Sequence, residues 1–140
     1  MNEPCVDTSV IIRLVTGDDP EKQEAAAKLF EDVEQNKLSV FAPDTVIADA
    51  VFVLAGRRTY NVARPTIGAA LTRLVRLPSF KVKHRRTVLR ALDLYATSAT
   101  LDFGDAMILS SMEQQQSRRL YSYDTDFDRL PGIERKEPDS

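Results

Sequence analysis

Four aspartates stand at positions that an ordinary structural role explains only in part, and carboxylates in such places can bind a metal ion. They are Asp7, Asp49, Asp105 and Asp124. Mg²⁺ and Mn²⁺ prefer carboxylate and water oxygens, whereas zinc sites call for His or Cys ligands. The chain has one histidine, His84, and one cysteine, Cys5. The composition therefore favours an all-oxygen metal site.

Asp7 and Asp124 each follow a short predicted strand. Parallel sheets bind ligands outside the carboxyl ends of their strands, so an acid in either place points to an active site. Both have a structural alternative, since Asp7 suits the N-cap of the next helix and Asp124 suits an Asx turn. Asp126 and Asp128 crowd the loop of Asp124. Their repulsion favours a cation between them, unless Arg129 neutralises it.

Asp105 and Asp49 lie within predicted helices. Asp105 heads an apolar series at i+3, i+4 and i+7, which places its carboxylate on the helix face turned toward the sheet. Asp102, three residues earlier, suits a cap of the same helix. Asp49 lies in the middle of an apolar helix, with no basic residue three or four positions away. We therefore expect a buried Asp49 carboxylate whose charge a cation compensates.

The net charge of −2 conceals a basic segment. Ten of the 19 Lys and Arg residues lie between positions 51 and 90, where there is no Asp or Glu. Solvated helix faces are the ordinary explanation of such a segment. Ten like charges without an opposing acid exceed that need, so the segment predicts a polyanionic partner.

Short apolar segments alternate with longer helical patterns along the chain, which is typical of an α/β fold with a parallel sheet. We predict strands at about 4–7, 38–42, 80–82, 120–123 and 132–135. We predict helices through 10–15 and at about 20–36, 43–55, 65–77, 86–96 and 105–115. The helix at 43–55 is apolar almost all round and is expected to be buried. Residues 1–135 are predicted to form one domain, with a flexible tail at 136–140.

Several classes of protein are disfavoured. No apolar run approaches the length of a membrane span, and the N-terminus lacks the pattern of a signal peptide. With a single cysteine the chain forms no internal disulfide, which is typical of the cytoplasm. A G-x-S-x-G elbow, a P-loop and a G-x-G-x-x-G turn are all missing. Haloacid-dehalogenase phosphotransferases require a D-x-D pattern after the first strand. Here Ser9 stands in place of the second acid, which disfavours that class.

Three segments resemble the acidic motifs of PIN-domain ribonucleases, and in particular those of VapC-type toxins from type II toxin–antitoxin pairs. They are VDTSVI at 6–11, DFGDAMI at 102–108 and SYDTDFD at 122–128. The resemblance implies a three-layer α/β/α fold with a central parallel sheet of order 3-2-1-4-5. It also implies Mg²⁺- or Mn²⁺-dependent endonucleolytic cleavage of RNA by a metal-activated water, homodimerisation and inhibition by a cognate antitoxin.

Residue by residue, the resemblance makes Asp7, Asp105 and Asp124 the first, third and fourth acids of the family. The second acid is usually Glu, and here Asp49 stands in its place with a side chain one methylene shorter. Asp126 is an alternative to Asp124 as the fourth acid. Ser9, Asp102 and Asp126 are expected to support the metal ligands.

The basic segment is expected to hold the RNA. The predicted phosphate contacts are Arg57, Arg58, Arg64, Arg85 and Arg86. Tyr60 or Phe80 is expected to stack on a base, and His84 to be a surface residue or a phosphate contact. The alternative function is that of a weakened domain, which binds RNA or a partner protein without cleaving.

Overall fold

The computed structural model describes residues 2–139 and consists mainly of helices. The helices are α1 (Thr8–Val15), α2 (Pro20–Glu34), α3 (Asp44–Ala55), α4 (Arg64–Val75), α5 (Arg85–Thr97) and α6 (Phe103–Gln115). The strands are β1 (Val40–Ala42), β2 (Phe80–Val82), β3 (Arg119–Tyr121) and β4 (Glu134–Lys136). A 3₁₀ helix (Thr125–Arg129), which the sequence patterns did not predict, lies between β3 and β4.

Side-chain caps fix where two of the helices begin. Asp19 accepts a hydrogen bond from the Lys22 backbone N–H (3.1 Å), and Pro20 occupies the first helical position of α2. Asp102 accepts one from the Asp105 N–H (2.8 Å) at the start of α6, which confirms its predicted capping role. Such caps satisfy amide groups that have no carbonyl partner within the helix.

The strands are parallel, as predicted for an α/β fold. In one sheet β1 pairs with β2, with Val40 opposite Phe80. Cys5 forms a single parallel bridge to Phe41 on β1, so the predicted first strand at 4–7 is reduced to this contact. In a second sheet β3 pairs with β4, with Arg119 opposite Glu134.

The strands form two separate two-stranded sheets. The segment around Cys5 lies beside β1, β1 lies beside β2, and β3 lies beside β4. No strand pair within residues 2–139 joins the two sheets. The order 3-2-1-4-5 of a single central sheet therefore stays a prediction.

Two apolar cores hold the elements together. The larger one lies among α1, α3, α4, α5 and the β1–β2 sheet, and its fully buried members include Ile11, Ile47, Leu71, Phe80 and Leu92. The smaller one consists of Leu109, Met112 and Phe127, which lie between α6 and the segment around β3 and β4. Burial of these side chains is the main stabilising term.

The C-terminal strand extends one residue beyond the predicted domain end. Lys136 was predicted to lie in the tail but pairs with Tyr121. The Lys136 carbonyl accepts a hydrogen bond from the Ser122 N–H (3.1 Å). Ser140 of the predicted tail lies outside the described residues. None of the helices within residues 2–139 has the length and apolar character required to cross a bilayer.

Candidate metal and nucleic-acid site

Asp105 lies in the first turn of α6, just after the capping residue Asp102. Its side chain is half-buried, and burial raises the pKa of its carboxyl group above the usual value. The negative charges of Asp102, Asp124 and Asp126 raise this pKa further. Asp105 is thus an ionisable group whose charged form is disfavoured by its surroundings. A bound cation would reverse that balance.

Asp124 caps the 3₁₀ helix that follows β3. Its Oδ1 accepts a hydrogen bond from the Asp126 N–H (2.9 Å), and its own N–H donates to the Ser122 hydroxyl (3.0 Å). The Asx-turn alternative is therefore realised. Both Asp124 and Asp126 are exposed. Their charges nonetheless act on Asp105, so the loop brings two acids toward the start of α6.

Asp7 caps α1. Its Oδ2 accepts hydrogen bonds from the Ser9 hydroxyl (2.8 Å) and the Ser9 N–H (3.4 Å), and these bonds lower the pKa of the Asp7 carboxyl group. The N-cap alternative is therefore realised here too. Ser9, expected to support a metal ligand, does hold Asp7. The carboxylate remains exposed and ionised at neutral pH.

Asp49 is exposed on α3, so the expectation that its carboxylate would be buried is wrong. Its helix is apolar in composition, but the face that carries Asp49 is not covered by another element. The Thr8 hydroxyl donates to the carbonyl of Val46, one turn before Asp49 (3.5 Å). This contact ties the start of α1, which Asp7 caps, to the first half of α3.

The predicted ligands come from separate segments of the chain. Asp7 precedes α1 and Asp49 lies on α3, and the Thr8–Val46 hydrogen bond joins these two helices. The charges of Asp124 and Asp126 act on Asp105 at the start of α6. Over the described range 2–139, no group of three or more His, Cys, Asp or Glu side chains is placed to hold a metal ion. The donor types suit a hard divalent cation.

Arg57, Arg58 and Arg86 are exposed, as phosphate contacts need to be. Arg64 and Arg85 are only partly exposed, because both guanidinium groups bind backbone carbonyls. Arg64 donates to the carbonyls of Tyr95 (3.2 Å for its Nε) and Leu101, and its guanidinium lies 3.9 Å from the Tyr95 ring centre.

Arg85 fastens the chain around β2. It donates to the carbonyls of Leu77 (3.2 Å) and Phe80, and its Nε is buried without a partner within the described residues. The structure therefore gives Arg64 and Arg85 a role in joining elements. Of the five predicted phosphate contacts, Arg57, Arg58 and Arg86 keep that role as a prediction.

The predicted base-stacking residues differ in exposure. Phe80 is fully buried and packs edge-on against Phe30 (ring centres 5.4 Å apart), so the prediction that it stacks on a base is wrong. The Tyr60 hydroxyl donates to Asp18 (2.7 Å). His84 is a surface residue, with its Nδ1 2.9 Å from a carboxylate oxygen of Asp44.

Phe52 is an exposed aromatic residue that the sequence interpretation missed. It is 82% exposed on α3, three residues after Asp49, so the two side chains share a helix face. The spacing of Asp49 and Phe52 is the sequence signal for a shared exposed face. The apolar composition of the helix predicted burial on nearly all sides and hid that signal.

A comparison with known proteins identifies the family of this chain. A model of the PIN domain family matches residues 5–133. A search of curated proteins found no match. Among solved structures, the Mycobacterium tuberculosis toxin VapC20, described as Sarcin-Ricin loop cleaving, is 19% identical, and the alignment covers 92% of this chain and 95% of that chain with a TM-score of 0.41.

Proposed function

Because the chain belongs to the PIN domain family, we propose that it is a Mg²⁺- or Mn²⁺-dependent endoribonuclease, a hydrolase of RNA phosphodiester bonds. The observation that supports this most is the crowding of carboxylates at Asp105. Burial, followed by the charges of Asp102, Asp124 and Asp126, raises the pKa of the Asp105 carboxyl group. Acids whose pKa is perturbed by burial and by specific charged neighbours are typical of functional sites.

We propose Asp7 and Asp105 as the most direct metal ligands, with Asp49 and Asp124 as supports. Asp126 is the alternative to Asp124. Ser9 keeps the Asp7 carboxylate ionised and oriented through its two hydrogen bonds. Asp102 caps α6 and so fixes the turn from which Asp105 projects.

A bound divalent ion would lower the pKa of a coordinated water and offset negative charge in the transition state. The chain itself would supply the ligands from the start of α1, from α3 and from the start of α6. A bound cation would favour the ionised form of the Asp105 carboxyl group, whose pKa is raised by burial and by neighbouring carboxylates. Arg57, Arg58 and Arg86 would hold phosphates of the RNA.

Cleavage of a labelled RNA by the purified protein tests this function. We expect cleavage with Mn²⁺ and none with EDTA. Asp7→Asn and Asp105→Asn should each reduce the rate at least about 100-fold, the scale of losing a metal ligand's support. Asp93→Asn is the matched control, because Asp93 is an exposed acid paired with Arg90 on α5. Undiminished activity in EDTA or in Asp7→Asn would contradict the metal mechanism.

A second candidate is a domain that binds RNA or a partner protein without cleaving. Two observations favour it: no group of three or more acids within residues 2–139 is placed to hold a metal ion, and Asp49 stands where the family usually has the longer Glu. Titration calorimetry with Mn²⁺ separates the candidates. A nuclease should bind the ion, and Asp105→Asn should lower its affinity. A non-catalytic domain need not bind the ion at all.

We further propose that the protein is a cytoplasmic VapC-type toxin, forms a homodimer and is inhibited by a cognate antitoxin. Induced expression should then arrest bacterial growth, and Asp105→Asn should relieve the arrest. Sedimentation of the purified chain measures the dimer. Growth arrest by the Asp105→Asn variant as strong as that by the wild type would contradict a toxin that acts by cleavage.

A further inference from the structure

The loop at 56–62, here called the arginine loop, presents two free guanidinium groups. It follows α3 and carries Arg57 and Arg58, both exposed. Neither arginine takes part in an ion pair within the part of the chain that the structure describes. Two adjacent cations without acidic partners are available to an anionic ligand.

The arginine loop is closed by hydrogen bonds of its own. The Asn61 N–H donates to the Gly56 carbonyl (2.9 Å), and the Thr59 hydroxyl donates to the Val53 carbonyl at the end of α3 (2.7 Å). Asn61 has a φ of 47°, in the left-handed region that such tight turns use. The loop thus has a defined shape before any ligand binds.

Tyr60 anchors the arginine loop to the segment between α1 and α2. Its hydroxyl donates to Asp18 (2.7 Å), which also accepts hydrogen bonds from the Thr16 hydroxyl (2.9 Å) and from Arg13 (3.0 Å). These bonds lower the pKa of Asp18, and Asp18 raises the pKa of Tyr60. At neutral pH the phenol is therefore a donor and the carboxylate an acceptor. The Tyr60 ring also packs against the larger core.

The anchor lies at the far ends of the two helices that carry Asp7 and Asp49. Thr8 contacts Val46 near the starts of α1 and α3, and the Tyr60–Asp18 bond joins the segments that follow both helices. From Asp49 to Ala55 the helix rises by about 9 Å at 1.5 Å per residue. One RNA strand bound at Asp7 and Asp49 can therefore extend along α3 to the arginine loop.

We propose that Tyr60 and Asp18 are positioning residues, which hold Arg57 and Arg58 where they bind phosphates flanking the bond to be cut. This inference rests on the proposed ribonuclease function. A loop fixed before binding loses less conformational freedom when the RNA arrives, and affinity rises accordingly. Tyr60 acts through the arginines and does not itself need to touch the RNA.

The test measures binding of a labelled oligouridylate to the full chain in EDTA, over a range of salt concentrations. Arg57→Ala/Arg58→Ala should make the slope of log K against log salt shallower by about 1.4, because each phosphate contact to a single strand contributes about 0.7. Tyr60→Phe keeps the ring and removes the hydroxyl. It should weaken binding by about fivefold to tenfold, the lower end of the scale expected for ordering two side chains.

The decisive measurement is the double-mutant cycle. Tyr60→Phe should not weaken oligouridylate binding further in the Arg57→Ala/Arg58→Ala background, because the arginines that Tyr60 positions are gone. Asp18→Asn, which weakens the same bond, should behave alike. Tyr121→Phe and Arg119→Ala, both on the exposed strand β3, are the matched controls for a lost hydroxyl and a lost charge.

Three results would overturn the inference: no binding of the oligonucleotide by the wild type, no effect of Tyr60→Phe, or an equal loss in both backgrounds. An equal loss would mean that Tyr60 only stabilises the fold, which melting temperatures would show independently. The proposed ribonuclease function has its own test, and it is wrong if the wild type does not cleave RNA with Mn²⁺. The binding cycle still decides the role of Tyr60 in that case.

Discussion

At the scale of the residue, side chains of one type serve different purposes because their neighbours differ. Arg64 binds two carbonyls and stacks on Tyr95, whereas Arg57 projects from a loop. The planar guanidinium group suits both uses, since it donates in several directions and also packs on rings. Similarly, hydrogen bonds lower the pKa of Asp7, whereas burial raises that of Asp105.

Asp105→Asn is predicted to stabilise the metal-free protein while it removes metal binding. The change deletes a charge that burial and three neighbouring carboxylates disfavour. Because the group is partly exposed, we expect a gain of about 0.5 kcal/mol or less. Urea unfolding in EDTA measures it, and addition of Mn²⁺ should then stabilise the wild type but not the variant. Lower stability of Asp105→Asn in EDTA would contradict the unfavourable surroundings of Asp105.

At the scale of the element, α4 and α5 approach closely because Gly68 has no side chain. A Cβ atom there would lie 2.6 Å from the Ala96 Cβ and 3.4 Å from the Leu92 carbonyl oxygen. The Ala96 Cβ is attached directly to the backbone and cannot move aside. Arg64, at the start of α4, reinforces this packing through its bond to the Tyr95 carbonyl on α5.

Gly68→Ala is therefore predicted to destabilise the fold by about 1–3 kcal/mol, the usual cost of overpacking. The higher helix propensity of Ala, worth about 1 kcal/mol, opposes this cost but does not reverse it. Denaturant unfolding followed by circular dichroism measures the difference. Gly17→Ala is the control, since a Cβ there meets nothing within 4 Å. A stabilised Gly68→Ala protein would show that the helices can separate freely.

At the scale of the whole molecule, acid should unfold the protein through carboxylates that the fold keeps ionised. The pKa values of five acids are lowered, largely by hydrogen bonds: Glu3, Asp7, Asp18, Glu113 and Asp128. Such groups stabilise the fold above their unfolded pKa values, 4.5 for Glu and 3.8 for Asp. Their contribution is lost as the pH falls through the folded values.

We predict a melting temperature that is nearly constant between about pH 5 and 7 and falls below about pH 4.5. Asp105 opposes the fall. Its raised pKa means that its charge destabilises the folded state at neutral pH, and protonation at low pH removes this penalty. Differential scanning calorimetry across this range measures the profile. Asp128→Asn, which removes the ion pair with Arg135 (2.8 Å), should lower the melting temperature at pH 7 and flatten the acid limb. A limb unchanged by this substitution would contradict the assignment to Asp128.

The local features of this protein could be predicted from the order of its residues. Apolar spacing predicted its helices to within a few residues, and the place of Asp102 before α6 predicted its cap. The acidic motifs predicted the family. These features depend on residues close together in the chain, where spacing along a helix or strand dictates which groups meet.

Only the tertiary structure decided which side chains are covered and which groups from distant segments meet. Asp49 and Phe52 are exposed because no element packs over their face of α3, and composition alone does not reveal such a gap. Arg64 donates hydrogen bonds to carbonyls more than 30 positions away in the chain, and Tyr60 donates one to a carboxylate 42 positions away. The resulting contacts depend on how helices pack, which no local spacing encodes. The same packing brings the charges of Asp124 and Asp126 to act on Asp105.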